Sequence, residues 1–442
     1  MQNVAQLHQI SLPQGFSVKT ELSVPRKIGL ALFVMGILIF LIGATGSFVG
    51  NTLLYSLGSL GVATIGALGY ILPLLKETHA GINNHRIMFG SASHKGALAW
   101  LIGVGMTGFY VVLYWFPQYF VHLNHATDPL SYAVRGKAAD QWFLYGTLYT
   151  MAVLIMGVRM LIKYRHSRYQ ILRTLSVMFF QLVFAYLIPG LLQIFNKPEF
   201  YFTYFWPLKY DYLNPFLVRY YLASPDKLVV FMILWGIIIS FIGVPILTYF
   251  FGKRWYCSWV CGCGALAETL GDPFRQNSDK SLRAWKIERW TIHGVLVFAA
   301  TMTALLWVNS YTQGKVLGEF SLAYSKAYGF LIGSIFSGVV GTGFYPIMGS
   351  RVWCRFGCPQ AAILGILQKY FSRFRITTNG DQCISCGNCS TYCEMGIDVR
   401  SYAQRGENIV RASCVGCGVC SAVCPRGVLS LENGPVQGRT RF

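Results

Sequence analysis

Long apolar runs free of charge recur along the chain. Eight stand out, at about 28–49, 52–75, 96–116, 141–162, 174–195, 228–251, 290–309 and 327–349. Each is rich in Leu, Ile, Val, Phe and Gly, and none has an acidic or basic residue at its centre. A helix needs about 20 apolar residues to cross the hydrocarbon core of a bilayer. Eight runs of that length predict an α-helical polytopic membrane protein with about eight transmembrane helices. Arg159, near the end of the fourth run, is expected to snorkel to the membrane surface. The first run begins only after a polar stretch and is long enough to span, so it reads as a span and not as a cleaved leader.

Composition agrees with the pattern. The chain has 442 residues, of which 54% are hydrophobic and 12% charged. Soluble domains are about a quarter charged. The formal charge of +20 would point to nucleic acid in a soluble protein, but here the loops account for it and no nucleic-acid partner is expected. One alternating set of segments carries 17 basic residues, from Lys19, Arg26 and Lys27 through Lys76, Arg86 and Lys95 to the Lys253–Arg289 stretch. The opposite set carries eight, among them Arg135, Lys197, Lys209 and Lys326. Short loops rich in Lys and Arg stay in the cytoplasm. An even number of spans then places both termini there, in the inner membrane of a bacterial cell. All 13 cysteines fall on that side, where thiols stay reduced and open to metal.

The long opposite connection, Asn196 to Lys227, is crowded with rings: Phe200, Tyr201, Phe202, Tyr204, Phe205, Trp206, Tyr210 and Tyr212. Such rings favour the headgroup region, so an interfacial belt is expected, with a quinone-binding surface as the sharper alternative. No ionisable group sits at mid-membrane, which argues against an ion pump.

The chemistry is concentrated after Ile376. Cys383-x2-Cys386-x2-Cys389-x3-Cys393 is followed by Cys414-x2-Cys417-x2-Cys420-x3-Cys424-Pro425. This is the spacing of bacterial ferredoxins with two [4Fe–4S] clusters, in which the fourth cysteine of each run serves the other cluster. Cluster one is therefore expected on Cys383, Cys386, Cys389 and Cys424, and cluster two on Cys414, Cys417, Cys420 and Cys393. Gly387 and Gly418 let the backbone approach inorganic sulfide. Structural zinc would need two pairs, not two quartets. Glu394 stands where the first run would usually have proline.

Four more thiols form an internal repeat. Arg254-Trp255-Tyr256-Cys257-x3-Cys261 follows the sixth span, and Arg351-Val352-Trp353-Cys354-x3-Cys358-Pro359 follows the eighth. Each has Arg, an aromatic, then C-x3-C. Cys257, Cys261, Cys354 and Cys358 are candidates for a third iron–sulfur cluster at the membrane interface, with paired redox-active dithiols or inert cysteines as the alternatives. Cys263 is left over, and it could replace Cys261.

Two C-x3-C motifs after transmembrane helices, followed by a two-cluster ferredoxin tail, resemble the NapH/NosR-type membrane polyferredoxins. The C-terminal part is also similar to the FixG/CcoG/RdxA group. The resemblance covers about residues 228–430. It departs at Gly262 and Cys263, which stand where proline would be expected. It implies electron transfer between the quinone pool, or a cytoplasmic donor, and other redox protein subunits. The FixG-like likeness also implies, as an alternative, a metal-reductase or accessory role in copper-oxidase assembly. A non-catalytic anchor for a redox complex is a further reading.

Of eight histidines, only His293 lies within a span. It is a candidate for a quinone headgroup or another cofactor. Haem b needs histidines on facing helices at membrane depth, and no such pair is visible.

The expected organisation is thus a cytoplasmic segment at 1–27, a transmembrane bundle at 28–349, an interfacial amphipathic segment at 350–376 and an α+β two-cluster ferredoxin-like domain at 377–442.

Overall fold

The computed structural model describes residues 23–45, 51–76 and 95–433. Lys19, Arg86 and the histidines His8, His79, His85 and His94 lie outside them, as do the ends of the first span and of the C-terminal domain.

Among the described residues, seven helices are long and apolar enough to cross a membrane: α1 (Val24–Gly43), α2 (Thr52–Lys76), α3 (Ala97–Trp115), α4 (Gln141–Lys163), α5 (Arg168–Ile194), α6 (Lys227–Phe251) and α7 (Leu282–Tyr311). Three of their starts are capped by a side chain. Asp140 accepts from the Phe143 amide, Asp226 from Leu228 and Ser281 from Ala284. α5 and α6 contain π-helical stretches, Phe180–Leu187 and Ile239–Gly243. Each runs up to a proline, Pro189 or Pro245. Proline cannot donate to the carbonyl one turn back, and the ladder widens there to carry the helix past it.

The eighth candidate, 327–349, is not one helix. α8 runs through Phe320–Tyr328 and the π-helical Gly329–Val340, then breaks before a short turn at Tyr345–Met348. The break falls at Gly341-Thr342-Gly343. A Cβ on Gly343 would lie 2.5 Å from Thr107 Oγ1 on α3, so glycine lets this bend press against a neighbouring helix.

The loops between spans do not stay at the surface. Phe200, Phe205 and Tyr212 are buried, so part of the aromatic connection folds back into the bundle and is not confined to an interfacial belt. There Tyr256 donates to the Thr203 carbonyl, and Tyr256 packs on the Phe205 ring. From the other side the first C-x3-C segment also turns inward. Tyr149, on α4, donates to the Gly262 carbonyl at 2.7 Å. Tyr149 is about 12 Å along α4 from one end and about 21 Å from the other, at 1.5 Å per residue. The tip of the thiol loop therefore sits well inside the bundle and not at its surface. Irregular backbone is tolerated at such depth only when protein surrounds it.

α9 (Pro359–Tyr370) leads from the second C-x3-C segment to the C-terminal domain. That domain is built on β1 (Arg375–Thr378) paired antiparallel with β2 (Leu429–Glu432), Ile376 opposite Leu431, with short helices between. Its core of Ile376, Ile397, Val399, Ile409, Val415 and Leu429 is continuous with Tyr256, Cys257, Cys261 and Leu364 of the membrane part.

Candidate functional site

In the C-terminal domain the two cysteine runs adopt matching backbone. Ser385 and Gly387 in the first run have φ of 57° and 80°, and Gly416 and Gly418 in the second have 61° and 72°. Left-handed residues on both sides of Cys386 and Cys417 curl each run around a hollow. One cavity is lined by Cys383, Cys386, Cys389 and Cys424. The other is lined by Cys393, Cys414, Cys417 and Cys420. Each gathers three thiols of one run and the last of the other.

The second cavity abuts the membrane part, which holds the carbonyls between its thiols. Ser258 donates to Val415, Tyr169 to Gly416 and Gln170 to Cys417, each at 2.8 Å, and Gln368 donates to Cys414 at 2.7 Å. Behind it lie the two C-x3-C pairs, all four thiols buried. Arg351 joins the pairs: its Nη1 donates to the Cys257 carbonyl at 3.0 Å and lies 3.5 Å from Cys354 Sγ. Burial pushes the Cys257 thiol up to about 12, opposed by the Lys253 ammonium. Lys253 also opposes the upward push of burial on Cys414, so one ammonium acts on thiols of both sites. Cys261 differs. A hydrogen bond with Cys263 outweighs burial and brings its thiol down to about 7. Cys263 is correspondingly pushed up.

Sequence reasoning missed an ionic cluster that fastens this assembly. Arg159 and Lys163 of α4 bind Asp272, and Arg159 is fully buried instead of snorkelling. Arg275 bridges Asp272, Glu268 and Glu394. Arg173 and Arg351 bind Glu268, and Arg351 also reaches Glu394. Five cations meet three carboxylates, all essentially inaccessible to water. Burial alone would raise the carboxyls of Glu268 and Asp272, but the surrounding cations hold both well below the usual range. Oxygens of Glu268 and Glu394 lie within 4.8 Å of the Cys417 thiol; both carboxylates are taken by arginines, so this is a charge cluster and not a separate metal site. The only forewarning was Glu394 in place of proline. With every group ionised the cluster holds a formal excess of two positive charges, and buried positive charge beside Cys417 is costly unless an anion offsets it. A thiolate-ligated iron–sulfur cluster is such an anion, so the donor set and the local charge both fit the group.

Two further cavities flank the thiols. On the side opposite the C-terminal domain, Tyr145, Tyr149, Gln181, Tyr201 and Tyr204 line one that ends at Cys263, with Tyr204 Oη 4.0 Å from its sulfur. His293 lines the other, with Trp285, Cys354 and Met395.

The chain matches a 4Fe-4S binding domain twice, at residues 233–281 and 328–378, and a 4Fe-4S dicluster domain at 382–429. Each of the two matches to the 4Fe-4S binding domain takes in one C-x3-C pair, Cys257 and Cys261 in the first and Cys354 and Cys358 in the second. Among curated relatives, the putative electron transport protein YccM of Escherichia coli is 27% identical over 188 residues, which is 38% of this chain and 48% of the relative. The methylamine utilization ferredoxin-type protein MauN of Paracoccus denitrificans is 26% identical over 151 residues, 32% of this chain and 48% of the relative. An uncharacterized protein of Methanocaldococcus jannaschii is 26% identical over 162 residues, 35% of this chain and 57% of the relative. The matches span about half the length of these relatives. No solved structure matches. The chain carries ferredoxin-type 4Fe-4S binding domains joined to a helical part with seven apolar helices of membrane-spanning length.

Proposed function

We propose that the chain is a membrane electron relay. Two [4Fe–4S] clusters occupy the C-terminal domain, one on Cys383, Cys386, Cys389 and Cys424, the other on Cys414, Cys417, Cys420 and Cys393. A third iron–sulfur centre is held by Cys257, Cys261, Cys354 and Cys358. The observation that carries this reading is the sorting of the eight C-terminal thiols into two cavities, three from one run and one from the other, with the C-x3-C thiols buried directly behind the second. The clusters supply the one-electron chemistry; the chain supplies ligation, hydrogen bonds and charge.

The names of YccM and MauN support electron transport, and the basic-loop count supports an inner-membrane location with the C-terminal domain in the cytoplasm. A quinone is the small redox partner we assign. Its neutral carbonyls need hydrogen-bond donors and not net charge, which favours the tyrosine- and glutamine-lined cavity ending at Cys263 over the wall that carries His293. Other redox subunits would meet the exposed face of the C-terminal domain.

Anaerobic purification followed by iron and sulfide analysis tests the cluster content: at least eight of each, and about twelve with the third centre. Addition of quinol should then reduce the clusters. Zinc without sulfide, or clusters that quinol leaves oxidised, would count against the reading.

A further inference from the structure

The cavity carrying His293 has a strongly basic wall. Five basic side chains face it, Lys253, Arg289, Arg355, Lys369 and Arg411, against one carboxylate, Glu288. They come from three separate parts of the fold: α6–α7 and their connection, α9 with the segment before it, and the C-terminal domain. Arg289 and Arg411 flank the two sides of Trp285, 4.6 and 4.3 Å from its ring centre. The fully buried Lys253 ammonium donates to the Ala412 carbonyl at 3.3 Å. Arg355 gives Nε to Glu288 and Nη1 to the Asp279 carbonyl, both at 2.7 Å. Its Nη2 is buried with no hydrogen-bond partner among the described residues. A buried guanidinium nitrogen left without an acceptor is unfavourable, and like charges gathered from three elements repel.

We propose that this cavity binds a phosphate-bearing anion, supplied by the membrane as the headgroup of an anionic phospholipid. Phosphate oxygens match the fork of a guanidinium, and several such donors share one phosphate. The unpartnered Nη2 of Arg355 is the buried donor that such an oxygen completes. Trp285, Arg289 and His293 recur at four-residue intervals on α7, so one helix face presents a ring, a cation and an imidazole to the same ligand. The place favours a lipid. Tyr370, which lines the cavity, is strongly exposed, as are Leu282, Trp290 and Phe371 on the elements that form it, the apolar and aromatic surface expected at headgroup depth. Basic pockets between helices at a membrane's inner face are where acidic lipid headgroups bind. The bound anion would hold α7, α9 and the C-terminal domain together, and this holds whether or not the thiols carry clusters.

The test uses the full chain, stripped of lipid in mild detergent. Phosphatidylglycerol, phosphatidylcholine and inorganic phosphate are added separately, and thermal unfolding and native mass spectra are recorded. Phosphatidylglycerol should raise the melting temperature and stay bound, while phosphatidylcholine does neither. Lys369→Gln, at an exposed position, and Arg411→Gln should each weaken retention by about tenfold while leaving iron content unchanged. Arg355→Lys, which keeps the charge but loses the fork, should weaken it too. Equal effects of the two lipids, or full retention in all three variants, would overturn the anion site. Stabilisation by inorganic phosphate as strong as by phosphatidylglycerol, and lost in the same variants, would overturn the lipid as its source.

Discussion

Arg351 Nε lies 3.1 Å from Glu394 Oε1, and both side chains are buried to the last per cent. Arg351 belongs to the second C-x3-C motif and Glu394 follows the last cysteine of the first ferredoxin run. The same guanidinium touches Cys257, Cys354 and Glu268. One side chain therefore contacts both membrane thiol pairs and the C-terminal domain, and removing it takes one cation from two buried carboxylates that Arg275 still binds. Arg351→Ala should destabilise the protein by about 1.5–3 kcal/mol, the range for losing hydrogen bonds to charged groups. Glu394→Pro, which installs the residue common at that place, should be nearly as damaging, because here the side chain is an ion-pair partner. Thermal unfolding of the two variants checks this; a silent Glu394→Pro would mean that other contacts dock the domain.

The same cluster sets an acid limit. Glu268 and Asp272 have carboxyls depressed below their ordinary values of 4.5 and 3.8, against the upward push of burial. A group depressed in the folded state stabilises fully above its ordinary value and loses that contribution as the pH falls. Glu394, whose carboxyl burial raises above its ordinary value of 4.5, works in the opposite sense, so stability should decline below about pH 5 by less than the roughly 1.4 kcal/mol per pH unit that each depressed group alone would contribute. Unfolding of metal-free protein, in which acid loss of clusters plays no part, measures it. Glu268→Gln should lower stability at neutral pH and flatten the acid decline; an unchanged slope would remove Glu268 from the explanation.

α1 and α2 pack backbone to backbone. A Cβ on Gly66 would lie 2.2 Å from the Phe33 amide nitrogen, and one on Gly36 would lie 2.4 Å from that of Ala63. Neither contact can move aside, because backbone meets backbone. Gly66→Val should separate the pair, at a cost of about 1–3 kcal/mol, while iron content stays intact. Disulfide cross-linking between cysteines introduced on the facing helices would report the separation.

Much of this arrangement could be read from residue order. Apolar runs are a length argument, and seven of eight became helices long and apolar enough to span. The eighth became α8, which ends short of the expected bound where glycines 341 and 343 allow a bend that composition cannot distinguish from close packing. The ferredoxin runs were legible because ligand spacing is local, a matter of reach over two or three residues. Depth was not. The C-x3-C loop reads as a helix end, and only Tyr149, Gly262 and the infolded Thr203–Phe205 stretch show how far it enters the bundle. Charge pairing was equally hidden. Asp272 looks like one acid in a basic loop, yet its partners Arg159 and Lys163 are more than a hundred residues away. The aromatic connection misled for a related reason: rings suit both an interface and a core, and its partners lie far along the chain.

The surroundings of Cys261 and Cys263 give an expectation for which of the two is the ligand. Both are close to the other C-x3-C thiols, since Cys354 and Cys358 act electrostatically on Cys263, and Cys261 acts on both Cys354 and Cys358. They differ in what surrounds the sulfur. Cys261 receives hydrogen bonds from the Cys263 thiol and from the amides of Gly264 and Cys263, which favour a thiolate. Cys263 gives its hydrogen bond away and faces the tyrosine-lined cavity. Thiolates ligate iron, and donors to ligand sulfur raise the reduction potential of a cluster. Cys261→Ser should therefore abolish the signal of the third centre, as should replacement of Cys257, Cys354 or Cys358, while the two ferredoxin clusters remain. Cys263→Ala should keep the signal but move its potential to a more negative value, and Cys263→Ser, which retains a donor, should restore most of the shift. Electron paramagnetic resonance during a redox titration reads both signal and potential. A signal that survives Cys261→Ser and vanishes in Cys263→Ala would reverse the two roles. Four single replacements that behave differently from one another would instead leave the C-x3-C pairs as separate dithiols.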